Sequence, residues 1–337
     1  MRKFLYDLGC FLFLPACIVL FFTVLYVKMD PYQDLRSYDN YSWTYYRQAL
    51  GDLSTKKLLA NPKLRPDSFI FGSSRATSLY ACYLEQKLPG AHFYQFAHWN
   101  DSIGGILNKL KFLDEHGYEI RNVVIALDTD RTFVGSGKPL ENDHYLINGK
   151  QALEYYYDHY RTLVPPNEWE KVKFLLGDMP KEQRPDWQSD LRTNDSNHSC
   201  TEETLAAYGD FPMDSVYRTN IEKLIQNGRL YPRSAEAKVL DPQISPQEIE
   251  MLHAIRELFD QHQTNFYVFI TPLYDQAKFN PKDMAILQST FGDRLFDYSG
   301  VNEITENQYL YYDVTHYYRH ISKQIIDEML AAGKDTP

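Results

Sequence analysis

The chain has 337 residues, enough for one large or two small domains, with 44% hydrophobic residues to build a core and 24% charged residues. A formal net charge of −10 argues against nucleic acid as a partner. Aromatic residues reach 15%, with 27 Tyr, a content that suits sugar stacking as well as ordinary packing and interface contacts.

Arg2 and Lys3 precede an apolar run over 11–27, broken by Pro15, Thr23 and Tyr26. As a helix the run spans about 26 Å, near the lower limit for a bilayer core, and it lengthens upstream through Phe4 and Leu5 if Asp7 is included. Basic residues before it and a long polar chain after it predict a single-pass anchor in contact with the membrane through residues 4–27. The N-terminus is then cytoplasmic and the main domain periplasmic or extracellular. No small-x-small cleavage site follows, so an uncleaved anchor over 1–30 is expected rather than a signal peptide. Cys10 and Cys17 belong to the anchor, leaving Cys82 and Cys200 for the exported part, where a disulfide is permitted but its formation is left open.

Residues 31–65 read as a polar, Tyr-rich juxtamembrane segment that turns helical near 45–59, with Pro62 and Pro66 punctuating the entry to the main domain. The short apolar run Phe69-Ile70-Phe71 then stops at Gly72 and is followed by Ser73, Ser74, Arg75 and a helical stretch near 76–87. That order presents a hydroxyl at the C-terminal end of a strand, where open α/β sheets place their chemistry. A second strand is expected over 92–96 and a helix over 103–116, with Ile106, Leu107, Leu110 and Leu113 on one face. The β-branched run 122–127 reads as a strand buried on both faces.

Over about 132–246 the rhythm is lost, and the stretch reads as an insertion over the ligand edge of the sheet, or as a second small domain. It returns as a helix over 246–262, a strand over 265–271 ending at Pro272, a helix over 284–291, a strand over 295–298 and a closing helix over 321–330. Strands alternating with helices predict βαβ units and a parallel sheet.

The second chemical constellation is Asp313-Val314-Thr315-His316, just ahead of that last helix. An Asp three residues before a His can hold one ring N–H, fix the tautomer and leave the other nitrogen as a base. Serine at its ordinary pKa is a poor nucleophile, so Ser74 needs such a base within reach.

Phe-Gly-Ser-Ser-Arg at 71–75 and Asp-Val-Thr-His-Tyr at 313–317 resemble the first and last blocks of the SGNH (GDSL-like) hydrolase superfamily. The family's first block, Gly-Asp-Ser, has its nucleophile third, which maps to Ser74, and its last block maps to Asp313 and His316. The resemblance covers roughly 66–330, with little of it in the middle third. It implies a flavodoxin-like three-layer α/β sandwich with a parallel sheet, here preceded by one N-terminal transmembrane helix. With its anchor, the chain is similar to membrane-bound members that acylate cell-surface polymers, such as the alginate O-acetylation proteins and the D-alanyl transfer protein of lipoteichoic acid. By that likeness the activity is O-acyl, foremost O-acetyl, transfer or hydrolysis on an extracytoplasmic glycan. A membrane acyl-donor protein is implied as partner, and no cofactor or metal is called for.

Two features depart from the family pattern. The third block, Gly-x-Asn-Asp, is replaced by Asp128-Thr129-Asp130-Arg131, and His98-Trp99-Asn100-Asp101 occupies the second-block loop before Gly104-Gly105. An oxyanion hole is then expected from backbone N–H groups at Ser74 or Arg75 together with the Asn100 side chain. The missing block also fits a catalytically silent binding or scaffold subunit of a polysaccharide machine. A third reading takes Asp128-x-Asp130 as the metal site of a nucleotide-sugar glycosyltransferase, but leaves the serine and histidine blocks unexplained. Gly135-Ser136-Gly137-Lys138-Pro139 lacks the leading glycine and the hydroxyl of a phosphate loop. His98, His144, His253, His262 and His320 show no metal-ligand spacing, and Asn-x-Ser sequons begin at Asn40, Asn100, Asn194 and Asn197.

Overall fold

The computed structural model describes residues 1–30, 35–36, 54–55, 57–59, 61–96, 100–134, 153, 157, 190–195, 200–208, 215–233 and 238–333. The phosphate-loop look-alike at 135–139, His98, His144 and the sequons at Asn40 and Asn197 lie outside them.

The first helix, α1 (Arg2–Met29), runs well beyond the apolar stretch 11–27 and takes in Asp7 and Pro15. The most apolar 18-residue window within residues 2–28 has a mean hydropathy of 2.6, and the helix is long and apolar enough to cross a membrane. Its last carbonyls are satisfied from outside the helix. Asp30, in the left-handed region at φ 43°, donates its N–H to Tyr26, and the Arg36 guanidinium donates to Val27 and Lys28.

The strands are β1 (Ser68–Gly72), β2 (Phe93–Gln95), β3 (Asn122–Leu127), β4 (Lys238–Val239), β5 (Asn265–Ile270), β6 (Ala277–Lys278) and β7 (Leu295–Asp297). Five of them form one parallel sheet in the order β2-β1-β3-β5-β7, and β4 pairs with β6 separately. After α1 the described helices are, in chain order, α2 (Ala81–Lys87), α3 (Ile103–Glu115), α4 (Glu202–Ala207), α5 (Ser215–Gln226), α6 (Pro246–His262), α7 (Pro281–Phe291), α8 (Glu303–Glu306) and α9 (Arg319–Ala332).

Every residue of β1, β2 and β3 is buried, as expected of strands covered on both faces. Alternation along the strands divides the core. Phe69, Phe71, Val123 and Ile125 pack with α3, α6 and α7, while Ile70, Val124, Ala126 and Phe269 pack with α2 and α9.

One expected element is broken. The stretch read as a helix near 76–87 is a 3-10 turn over Ser74–Ser78, then extended residues at Leu79 and Tyr80, then α2. Side chains take the carbonyls that the next helical turn would have used. The buried Gln95 amide donates to Ala76 and Leu79, and the Thr77 and Ser78 hydroxyls donate to Ser74 and Arg75.

Within 132–246, the described parts touch the main domain directly. Gln95, on edge strand β2, donates its N–H to the Thr193 carbonyl at 2.8 Å. Asn194, one of the sequon residues, is 1% exposed and bonds Ser54, Gln95 and Lys57, so its amide is closed to glycosylation. Cys82 on α2 and Cys200 form a disulfide, with Cα atoms 5.8 Å apart across 118 residues of sequence, which resolves the pairing that the sequence left open. Closing so long a loop restricts the unfolded chain, so Cys82→Ser is expected to lower the unfolding free energy by about 2–4 kcal/mol. Chemical denaturation of the oxidised protein beside the variant measures this, and equal midpoints would contradict it.

Candidate active site

The order of the sheet creates the location. β2 lies on one side of β1 and β3 on the other, so the connections diverge where β1 and β3 end, leaving a crevice at their C-terminal edge. Gly72, at φ 142°, ends β1. A Cβ there would stand 2.8 Å from the Ala126 carbonyl oxygen and 3.0 Å from the Ala76 Cβ, so only glycine lets the turn lie so close to β3. Ser73 then caps the 3-10 turn by accepting from the Arg75 N–H, and Ser74 stands at the turn's first position, half-buried.

From the far end of the chain comes the loop before α9. Tyr311 and Tyr317 form an isolated antiparallel bridge, and Tyr312 donates its N–H to the His316 carbonyl, so the loop between them is tightly closed. Inside it Asp313 Oδ1 accepts from the Thr315 N–H, the Thr315 hydroxyl and the His316 N–H at 2.7–2.8 Å. His316 Nδ1 lies 2.9 Å from Asp313 Oδ2, and Nε2 lies 2.8 Å from Ser74 Oγ. An ionised carboxylate only accepts, so Nδ1 carries the proton and Nε2 is left to accept from the Ser74 hydroxyl. Burial works against the Asp313 charge, but hydrogen bonds from His316 and Thr315 outweigh it and hold the carboxyl down at about 2. The side chains of His316 and Asp313 are 26% and 29% exposed, so the row is open to an incoming molecule. Tyr312 stacks on the His316 ring at 5.5 Å between centroids.

The structure thus brings Ser74, His316 and Asp313 together, and it treats the two expected oxyanion residues differently. The Arg75 N–H is taken up by Ser73, and its guanidinium turns into the protein. There it meets Asp128 at 3.1 Å and Asp130 at 2.8 and 3.1 Å, and Nε donates to the Thr315 carbonyl at 2.6 Å. Burial disfavours the Arg75 charge, yet the two carboxylates raise its pKa above the ordinary value. Asn100 is exposed, at φ 54°, and makes no hydrogen bond to Ser74 or His316 among the described residues. The carboxylates of Asp128 and Asp130 are both engaged by the Arg75 guanidinium, which occupies the side that a shared metal ion would need, and Asp128 also accepts from Thr271. Among the described residues the one cluster of metal-ligating atoms is Cys82, Asp195 and Cys200, where both sulfurs belong to the disulfide.

Two contributors are not foreseen from the sequence. Thr315 braces both Asp313 and the His316 ring, with its hydroxyl 2.8 Å from Nδ1. The Arg75 ion pair joins two motifs that stand far apart in the chain; the available signal was that each directly follows a strand, β1 and β3, that pair in register. No protein-family model and no curated protein matches the chain.

The bonds that lower the Asp313 pKa also make stability depend on pH. A carboxyl held at about 2 in the folded chain and about 3.9 unfolded contributes stability above about pH 4, lost as pH falls toward about 2. Melting temperatures of wild type and Asp313→Asn are therefore expected to differ most at neutral pH and to converge through that window; a gap independent of pH would contradict the assignment.

Proposed function

We propose that the chain is a membrane-anchored, SGNH-like serine acyltransferase or esterase acting on O-acyl groups, O-acetyl foremost, of an extracytoplasmic glycan. The observation that carries this reading is the unbroken row Ser74–His316–Asp313 at the C-terminal end of β1. The strand order β2-β1-β3-β5-β7, with apolar clusters on both faces, supports the flavodoxin-like three-layer form of that superfamily. Helix α1 supports anchoring, the basic residues Arg2 and Lys3 support a cytoplasmic N-terminus, and the Cys82–Cys200 disulfide suits an oxidising compartment for the rest.

In this mechanism Ser74 Oγ attacks the acyl carbonyl as His316 Nε2 takes its proton. Asp313, ionised at neutral pH, stabilises the imidazolium and keeps its orientation. The developing oxyanion faces the Ser74 N–H, which at the first position of the turn has no intrahelical acceptor. His316 returns the proton to the departing alcohol, and the acyl-enzyme passes its acyl group to water or to a sugar hydroxyl. Neither Asn100 nor the Arg75 N–H stands ready as a second oxyanion donor, and this favours, as the alternative, a silent subunit of a polysaccharide machine.

Full-length protein in detergent is expected to react covalently with a fluorophosphonate and to hydrolyse aryl acetates. Ser74→Ala is expected to abolish labelling, and both Ser74→Ala and His316→Ala to reduce turnover on the order of 10⁴-fold or more. A folded wild-type protein that neither labels nor turns over would leave the silent-subunit reading standing.

A further inference from the structure

We propose that Arg75 is a positioning residue whose guanidinium sets where the Asp313–His316 loop stands relative to Ser74. The proposal rests on the serine-enzyme reading in one respect, that the His316–Ser74 contact is used chemically.

Three loops from distant parts of the sequence meet at this side chain. Arg75 itself belongs to the turn that carries Ser74. Asp128 and Asp130 belong to the turn after β3, and Thr315 lies between the two residues of the acid–base pair. The guanidinium is 3% exposed and Asp128 fully buried. Buried ion pairs contribute little net stability compared with well-packed apolar residues of the same volume, so stability alone gives no reason for a charge here. Orientation does. Arg offers five donors in a rigid fork, and here Nε faces Thr315 while the two terminal nitrogens face the carboxylates. Asp128 is itself fixed by the Thr271 hydroxyl and by its own N–H donating to Thr132 Oγ1, so the fork is referred back to β3 and β5.

The Thr315 carbonyl takes the shortest of the guanidinium's bonds, 2.6 Å, and Thr315 is the residue that braces Asp313 and touches His316 Nδ1. A shift of Thr315 is therefore passed directly to the imidazole. Lysine in place of Arg75 keeps the charge for Asp128 and Asp130, but its single ammonium cannot also hold the carbonyl on the other side of the fork. Misplacement of a reacting group by about 1 Å costs on the order of a hundred-fold in rate.

The test uses full-length protein in detergent, with fluorophosphonate labelling, aryl-acetate kinetics and NMR of ¹⁵N-labelled histidine. Arg75→Lys is expected to slow labelling and lower kcat about a hundred-fold with KM unchanged, and to shift or abolish the Nδ1–H resonance of His316. Asp130→Asn leaves the buried Arg75–Asp128 pair in place and is expected to produce the same changes to a smaller degree; it decides the question if Arg75→Lys does not fold. Folded variants that label at the wild-type rate overturn the proposal, and so does slow labelling with the His316 resonance unmoved. A wild-type protein that fails to label removes the serine-enzyme reading instead. The His316 resonance then still decides whether Arg75 positions the ring.

Discussion

The site depends on how closely the end of β1 approaches β3. Gly72 sits against the Ala126 carbonyl at a distance no side chain could share, and the pairing register sets it directly across from Ala126. Two residues further along each strand, the turns carrying Ser74 and Asp128 are therefore close enough for one arginine to serve both. Parallel pairing is what makes this productive, because it brings two C-terminal strand ends to the same edge of the sheet. An antiparallel neighbour would have placed one of these turns at the opposite end.

The remaining part of the site is supplied from far along the chain, and it is held from several sides. The 311–317 loop is closed by its own bridge and tied to the Ser74 turn through Arg75. It is also tied to the chain after α5 by the Val314 N–H donating to the Arg229 carbonyl. The span 132–246 is thus more than a covering: Arg229 holds the loop that carries His316, and the Tyr208 hydroxyl donates to Ser78 in the turn behind Ser74.

Much of the scaffold was legible in the sequence because parallel α/β sheets write themselves as uninterrupted apolar runs between amphipathic stretches. The strand 122–127 and the helix 246–262 stand where periodicity placed them, and the parallel sheet follows from their alternation. The break at Leu79 and Tyr80 was not legible, since it depends on a glutamine from another strand taking the carbonyls. At the site, the spacing of Asp313 and His316 announced a local pair, and both residues do share one small loop with Ser74 within reach. The role of Arg75 was hidden for a different reason. A single position carries both a backbone N–H beside Ser74 and a long side chain, and the sequence cannot say which of them faces the crevice. Its partners, Asp128 and Asp130, resembled a metal motif when read alone because a carboxylate pair looks the same in sequence whether it faces a metal ion or a guanidinium.

The disulfide has a consequence beyond the loop that it closes. β2 is an outer strand of the sheet, and residues 193 and 194 lie against it, with Thr193 accepting from the Gln95 N–H and Asn194 donating to the Gln95 carbonyl. Cys82, at the start of α2, is bonded to Cys200, six residues beyond Asn194 in the chain. Reduction would loosen the cover and bare the rim of a parallel sheet, the kind of surface on which chains add to one another strand by strand. Where this chain is made therefore bears on how firmly that rim is covered: in a reducing cytosol the bond between Cys82 and Cys200 does not form, and the cover rests on the hydrogen bonds of Ser54, Thr193 and Asn194.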